Sequence, residues 1–293
     1  MIVELEPKHT NNLGTHNNAI NEFKPGLAPE NSKTLDFLDE DKIYVFCATE
    51  SNFFHYFYNI MIPALKAIRS LDNKKIHFVL DSHYKKQDRD NFDILLTELL
   101  YEKRINYTTI TGGDYEYINA KNFIVLNSTF MPEGVDLLYE YLIGKYQTIQ
   151  SPPNKKIYIS RKNQQTAEKR VDNEEDLENF FRSKGFEIVY PEDLRTFKEQ
   201  FELFNSCQIL AGISGSGLAN LVFMQKGQTV IEIVTELEIR GSYDGIRMEV
   251  HHFYKEMSSP KNHTLINIFN QDRSSEPIKN QINNFLNSIG SIC

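Results

Sequence analysis

A chain of 293 residues, 40% hydrophobic and 25% charged, can bury two cores of ordinary size and has the composition of a globular protein. Its formal net charge of -8 argues against nucleic acid or an anionic membrane as the main partner, so an anionic ligand would have to be met by a local basic cluster. No apolar run approaches the roughly 18 residues of a membrane span, and the opening "MIVELEPKH" is not a signal peptide, so a soluble cytoplasmic protein is expected.

Residues 1–40 are polar, rich in Asn and Pro and without periodicity, and read as an irregular arm. A first α/β unit is expected over 41–150. "KIYVFCA" and "KIHFVLD" read as strands, and "FFHYFYNIMIPALKAIRSL" between them as a long apolar helix. "DRDNFDILLTELLYEKR" is amphipathic, "INYTTI" and "NFIVLNS" are strand-like, and "GVDLLYEYLIGKY" reads as a helix. "QSPPNKK" is the best linker in the chain, with two prolines in a polar frame.

A second α/β unit is expected over 155–270. "KIYIS", "FEIVY", "QILAGI" and "TVIEIV" are its strands, and "NEEDLENFFRSKG" is a helix with acids in its first turn and a glycine at its end. The last helix, in 275–293, could cross back onto the first unit. Alternation of this kind calls for parallel sheets covered by helices on both faces, with ligands beyond the carboxyl ends of the strands. Cys47 and Cys207 lie in apolar runs and read as buried thiols, with Cys293 far from both.

The second unit carries the chemistry. "KKIYISRK" ends a strand on Ser160, Arg161 and Lys162, and Arg170 follows shortly after. A planar guanidinium at a strand end suits a diphosphate. The loop Ser214-Gly215-Ser216-Gly217, with Asn220 behind it, follows another strand and offers small residues and free N–H groups. It fits neither the dinucleotide fingerprint nor the hydrolase elbow. Glu232 stands inside an apolar strand, which is costly unless it is paired or meets a ligand such as ribose hydroxyls. These features together point to a nucleoside diphosphate, leaving open a dehydrogenase, a kinase-like enzyme or a glycosyltransferase, and the absence of a Walker lysine motif counts against P-loop chemistry.

From Lys155 to Ile233 the sequence closely resembles the C-terminal signature of family 61 glycosyltransferases. The resemblance is carried by Ser160-Arg161, Asn173-Glu174, Gln200, the G-x-G-x-x-N loop at Gly215 to Asn220, and Glu232. "SNFFHYFYNIMIPAL" looks like a looser version of the family's Asn-x-x-His segment, with Asn52 and His55. The resemblance implies a GT-B-like fold of two Rossmann-like lobes around a cleft. It also implies a nucleotide-sugar donor, usually UDP-linked, as substrate, inversion at the anomeric carbon, and no cofactor or catalytic metal. The family loop commonly reads His-Gly-Ala-Gly, and Ser214 replaces that histidine here.

The expected enzyme moves a sugar, of xylose or N-acetylhexosamine type, to a hydroxyl of a glycan or glycoprotein. Donor-binding residues are Ser160, Arg161, Lys162, Arg170, Ser214, Gly215, Ser216, Gly217, Asn220 and Glu232. The general base is expected just beyond a first-unit strand: His55, with Asp81 and Glu50 as the other candidates. A dinucleotide-dependent oxidoreductase and an inactive nucleotide-sugar or glycan-binding module are the rival readings, and the oligomeric state is left open. Asp39-Glu40-Asp41 has the D-x-D form of metal-dependent transferases but precedes a strand instead of closing one, and His251, His252 and His263 lack the spacing of a zinc site.

Overall fold

The computed structural model describes residues 34–47, 56–81, 91–110, 117–120, 122–126, 134–147, 151–163, 170–194, 196–235, 254–255, 257–270 and 273–290. They form an α/β protein with two main all-parallel sheets and a small two-stranded parallel one, the class expected from the alternation of strands and helices. The first sheet contains β2 (Ile43–Cys47), β3 (Ile76–Asp81), β4 (Asn106–Ile110) and β6 (Phe123–Leu126) in the order β4-β3-β2-β6. The second contains β7 (Lys155–Ile159), β8 (Glu187–Val189), β9 (Cys207–Ile213), β10 (Thr229–Thr235) and β11 (Thr264–Asn270) in the order β11-β10-β9-β7-β8.

Two short strands and one long one were not expected. β1 (Thr34–Phe37) lies inside the segment read as irregular, where it pairs in parallel with β5 (Tyr117–Ala120). What fixes it is tertiary: Phe37 is buried against the rings of Tyr44 and Phe46, at 4.9 and 5.7 Å between centroids. β11 pairs with β10 along its whole length at the sheet edge.

The three central strands of the second sheet, β7, β9 and β10, bury apolar side chains on both faces because helices cover both. Ile157, Ile159, Leu210 and Val230 join one hydrophobic cluster, while Tyr158, Ile209, Ala211, Ile231 and Ile233 join another on the opposite face. The second cluster is closed by α4 (Glu174–Ser183) and α6 (Ser275–Gly290), through Leu177, Phe181, Ile278 and Ile282. Thus α6 does not cross back onto the first sheet. Its apolar stripe is used up against α4 and β11, and Lys279 ties it to Asp176 at 2.8 Å.

The first cluster runs on into the first half of the chain. A wide π-type turn at Tyr56–Met61 continues as helix α1 (Ile62–Ser70), and α2 (Asn91–Glu102) and α3 (Val135–Tyr146) pack beside it. Phe57 meets Phe223 edge-on at 5.2 Å and Phe197 at 5.8 Å, the latter at the start of α5 (Phe197–Asn205). Helix α5 opens with a capping box in which Thr196 and Glu199 exchange side-chain and backbone hydrogen bonds.

A buried polar seam reinforces this junction at the amino side of β10 and β11. Lys261 is fully buried, donates to the Met224 carbonyl at 2.7 Å, and lies over the Tyr139 ring of α3. Burial holds its ammonium well below the usual lysine range. His263 beside it accepts the Gln228 N–H on Nδ1 at 3.2 Å, and burial, with the Lys261 charge, pushes its pKa down to about 4. The ring is engaged in structure, which removes it from any zinc reading; His251 and His252 lie outside the described residues.

This depressed histidine makes stability depend on pH. The unfolded chain binds the His263 proton near pH 6.5 and the folded chain only near 4, so stability present above about 6.5 is lost as pH falls through that window. The loss is on the order of 3 kcal/mol. Thermal melts between pH 7 and 4 are expected to show the decline, and His263→Gln, whose amide oxygen can still accept the Gln228 N–H, is expected to flatten it.

Candidate anion site at the second sheet

Strand order in the second sheet reverses between β7 and β9. From β7 the chain passes to β8 on one side, then returns to lay β9, β10 and β11 on the other. In open parallel sheets such a reversal leaves a crevice outside the carboxyl ends of the two strands. Arg161 comes two residues after β7, and Ser214 directly follows β9. Two sequence-distant segments thereby meet at one place.

Their meeting is intimate. Gly215 adopts φ +147°, a conformation that side-chain-bearing residues rarely reach, and a Cβ there would run into the Arg161 guanidinium. The same Cβ position is 3.6 Å from Nη1 of Arg170, which itself donates to the Ser214 carbonyl. Two guanidinium groups therefore bracket one stretch of bare backbone. Gly217 is needed for a different reason: a Cβ would sit 3.0 Å from Cγ2 of Ile159, so the run that follows packs tightly on β7. That run, Ser216–Phe223, is a 3-10 helix. The Tyr254 hydroxyl caps the loop from the other side by donating to the Gly215 carbonyl.

The polar residues expected to touch the ligand are divided by the structure into two groups. Glu232 is fully buried, three residues before the end of β10, and accepts the Ser214 hydroxyl at 2.7 Å; Ser214 N–H donates to the Ile233 carbonyl at 2.8 Å. Through Oε1 it anchors the loop from beneath. Asn220 is also fully buried, accepting from Gln200 at 2.6 Å and donating to the Gly217 carbonyl at 2.7 Å. Ser160 is buried and donates to Glu178 at 2.7 Å. Lys162 is exposed and pairs with Glu175 at 3.3 Å. Arg161, Arg170, Gly215, Ser216 and Gly217 are the expected residues that stand at the partly open surface.

Behind Arg161 lies an acidic pair that composition and spacing did not single out as functional. Oε1 of Glu174, in the first turn of α4, accepts the Arg161 N–H and the Ser160 hydroxyl, the latter at 3.2 Å. Glu178, one turn on and 1% exposed, holds Ser160, Tyr190 at 3.0 Å and Arg182 at 3.1 Å. Burial raises the Glu174 pKa, opposed by the Arg161 N–H, the Ser160 hydroxyl and the Arg161 charge. The signal for Glu178 was present, an acid four residues from Glu174 and next to the apolar Leu177, whereas Tyr254 had none and becomes visible only through its contact with Gly215.

In the first sheet strand order reverses between β2 and β6. Glu50 and His55 follow β2 in sequence and lie outside the described residues, as does Asn52. Asp81 is the last residue of β3, paired in register with Ile110. Asp39, Glu40 and Asp41 form an exposed turn at the opposite, amino end of β2, where Asp39 accepts the Asp41 N–H at 3.0 Å and pairs with Lys42 at 3.6 Å. Among the described residues no three His, Cys, Asp or Glu side chains gather as a metal site, and no helix is long and apolar enough to cross a membrane.

Two all-parallel sheets, with guanidinium groups collected over a glycine turn at the reversal of the second, define an α/β protein equipped to hold an anion. The family model for Glycosyltransferase 61 matches residues 40–231, and the chain belongs to that family; it is a glycosyltransferase. The fold is GT-B-like in having two Rossmann-like sheets. Among solved structures it is similar to the glycosyl transferase family 9 protein from Veillonella parvula DSM 2008, at 10% identity over 82% of this chain and 90% of that one, with a TM-score of 0.35. A score that low carries no weight of its own beside the topology. No curated protein matches the chain.

The turn at Gly215 yields a direct expectation. Gly215→Ala forces an L-residue into a strained conformation and displaces Arg161, so it is expected to destabilise the protein by about 1–3 kcal/mol, read as a lowered melting temperature. Gly227→Ala, which also has positive φ (+79°) but open space around it, is expected to cost less.

Proposed function

We propose that the protein transfers a sugar from a nucleoside-diphosphate sugar, UDP-linked, to a hydroxyl of a glycan or glycoprotein, with inversion and without a catalytic metal. The observation that carries this reading is the convergence of Arg161 and Arg170 on Gly215 between the ends of β7 and β9. A leaving diphosphate needs its growing charge met by fixed donors, and two guanidinium groups at a partly open glycine turn can meet it. The donor sugar is of xylose or N-acetylhexosamine type, and the acceptor approaches from the carboxyl side of the first sheet, across a cleft between two lobes.

In the transfer, a base takes the proton of the acceptor hydroxyl as its oxygen bonds to the anomeric carbon from the face opposite the diphosphate. The bond from that carbon to the diphosphate oxygen breaks, and its electron pair leaves with UDP. His55 is the proposed base, because imidazole titrates near working pH and the residue follows β2 at the reversal of the first sheet. Asp81, which ends β3, is the alternative, followed by Glu50. Glu232, Asn220 and Ser160 hold the donor loop and the strand end in shape.

Calorimetry with UDP tests the donor site. Arg161→Ala is expected to weaken UDP binding by about 1.5–3 kcal/mol, the range for hydrogen bonds to charged groups, with the fold intact. Unchanged affinity would return Arg161 to the status of a surface residue, and binding of NAD in place of UDP would favour an oxidoreductase. The base is tested by turnover of a UDP-sugar with an acceptor, in excess EDTA throughout because the reading needs no metal. His55→Ala is expected to lose about 10²-fold or more in kcat with UDP affinity kept, and Asp81→Asn to lose little. The opposite ranking would move the role to Asp81, and UDP binding with no turnover of any sugar would mark an inactive binding module.

A further inference from the structure

The acids of α4's first turn have separate employments. Asn173 caps the helix by accepting the Asp176 N–H at 3.1 Å, so the helix start is satisfied without Glu174. Glu175 pairs with Lys162, and Asp176 with Lys279 and Ser275 of α6. Glu174 alone is turned toward the end of β7, where one carboxylate oxygen gathers the Arg161 N–H, the Ser160 hydroxyl and, at 3.5 Å, the Tyr158 hydroxyl.

A carboxylate placed this close to an anion site opposes the anion electrostatically. A second one, Glu178, stands behind it and adds to the repulsion, although Glu178 has Arg182 as its own cation. What Glu174 provides in exchange is an acceptor oxygen within reach of a backbone N–H that has left the sheet ladder. That N–H belongs to the residue whose guanidinium lies against Gly215. A long side chain reaches a fixed point only if its own backbone is fixed, and a misplacement of about 1 Å at a charged contact is enough to be felt in binding.

We infer that Glu174 is a positioning residue for the donor: through the Arg161 N–H and Ser160 it fixes the backbone from which the Arg161 guanidinium reaches the diphosphate. This rests on the donor reading above. Glu174 touches no part of the donor itself; it acts through Arg161.

The test separates reach from charge. UDP affinity is measured by calorimetry for the full chain and for Glu174→Ala, Glu174→Asp and Glu174→Gln, each also in an Arg161→Ala background. Glu174→Ala is expected to lose about tenfold in UDP affinity. Glu174→Asp keeps the charge but is one methylene short of the Arg161 N–H, and is expected to lose a similar factor. Glu174→Gln loses the charge but keeps an oxygen in reach, and is expected to stay within about twofold of the parent. In the Arg161→Ala background the three variants are expected to bind UDP alike.

If Glu174→Ala does not fold, the Asp and Gln variants decide the matter by themselves. Parent-like binding by Glu174→Asp, or a loss in Glu174→Gln as large as in Glu174→Asp, overturns the inference. So does an undiminished effect of Glu174 in the absence of the Arg161 guanidinium. Failure of the parent chain to bind UDP removes the donor reading and this inference together, whereas parent binding that depends on Arg161 but not on Glu174 removes this inference alone.

Discussion

The contact on which the rest of the site depends is the approach of a guanidinium to a backbone that has no side chain. Arg161 lies where a Cβ of residue 215 would be, and Arg170 reaches the carbonyl of the residue before it. Every other feature nearby keeps that approach possible. Gly217 lets the 3-10 run sit down on Ile159, Glu232 pulls Ser214 inward, Tyr254 holds the Gly215 carbonyl, and Asn220 ties the run to α5 through Gln200. The Ser214 hydroxyl, the Asn220 amide and one oxygen of Glu232 find their partners in the loop and the elements beneath it.

The same economy of space joins the two halves of the chain. Phe223 closes the 3-10 run that follows the loop, and its ring packs on Phe57 in the π-type turn that follows His55 in sequence. The π-type turn and the run that follows the anion-site loop therefore lean on a shared core. A π-type turn widens the helix locally and is common near functional sites.

Ser214 is the residue at which this chain departs most from the loop it resembles. Its hydroxyl faces inward onto Glu232 and not outward, so the position contributes anchoring and no titratable group. Chemistry that an imidazole there would supply has to come from elsewhere, and the nearest cations are Arg161 and Arg170.

Much of the fold and part of the site were legible in the residues alone. Alternating apolar strands and amphipathic helices identify parallel sheets because strands covered on both faces bury apolar side chains on both, as Ile157 and Tyr158 of β7, Ile209 and Leu210 of β9, and Val230 and Ile231 of β10 do. The glycines at 215 and 217 and the arginine after β7 stand out for similar local reasons, and so does the capped, acid-rich start of α4. Partner-dependent features do not stand out. β1 exists because Phe37 finds Tyr44 and Phe46, and α6 stays on its own sheet because Ile278 and Ile282 find Phe181 and its neighbours. Glu232 reads in sequence as an acid in want of a ligand, and Glu174 as an acid in want of a helix dipole. Only the tertiary structure decides that one holds Ser214 and the other Arg161. A carboxylate's role is set by which donors lie within about 3 Å, and sequence spacing does not encode that distance across separate elements.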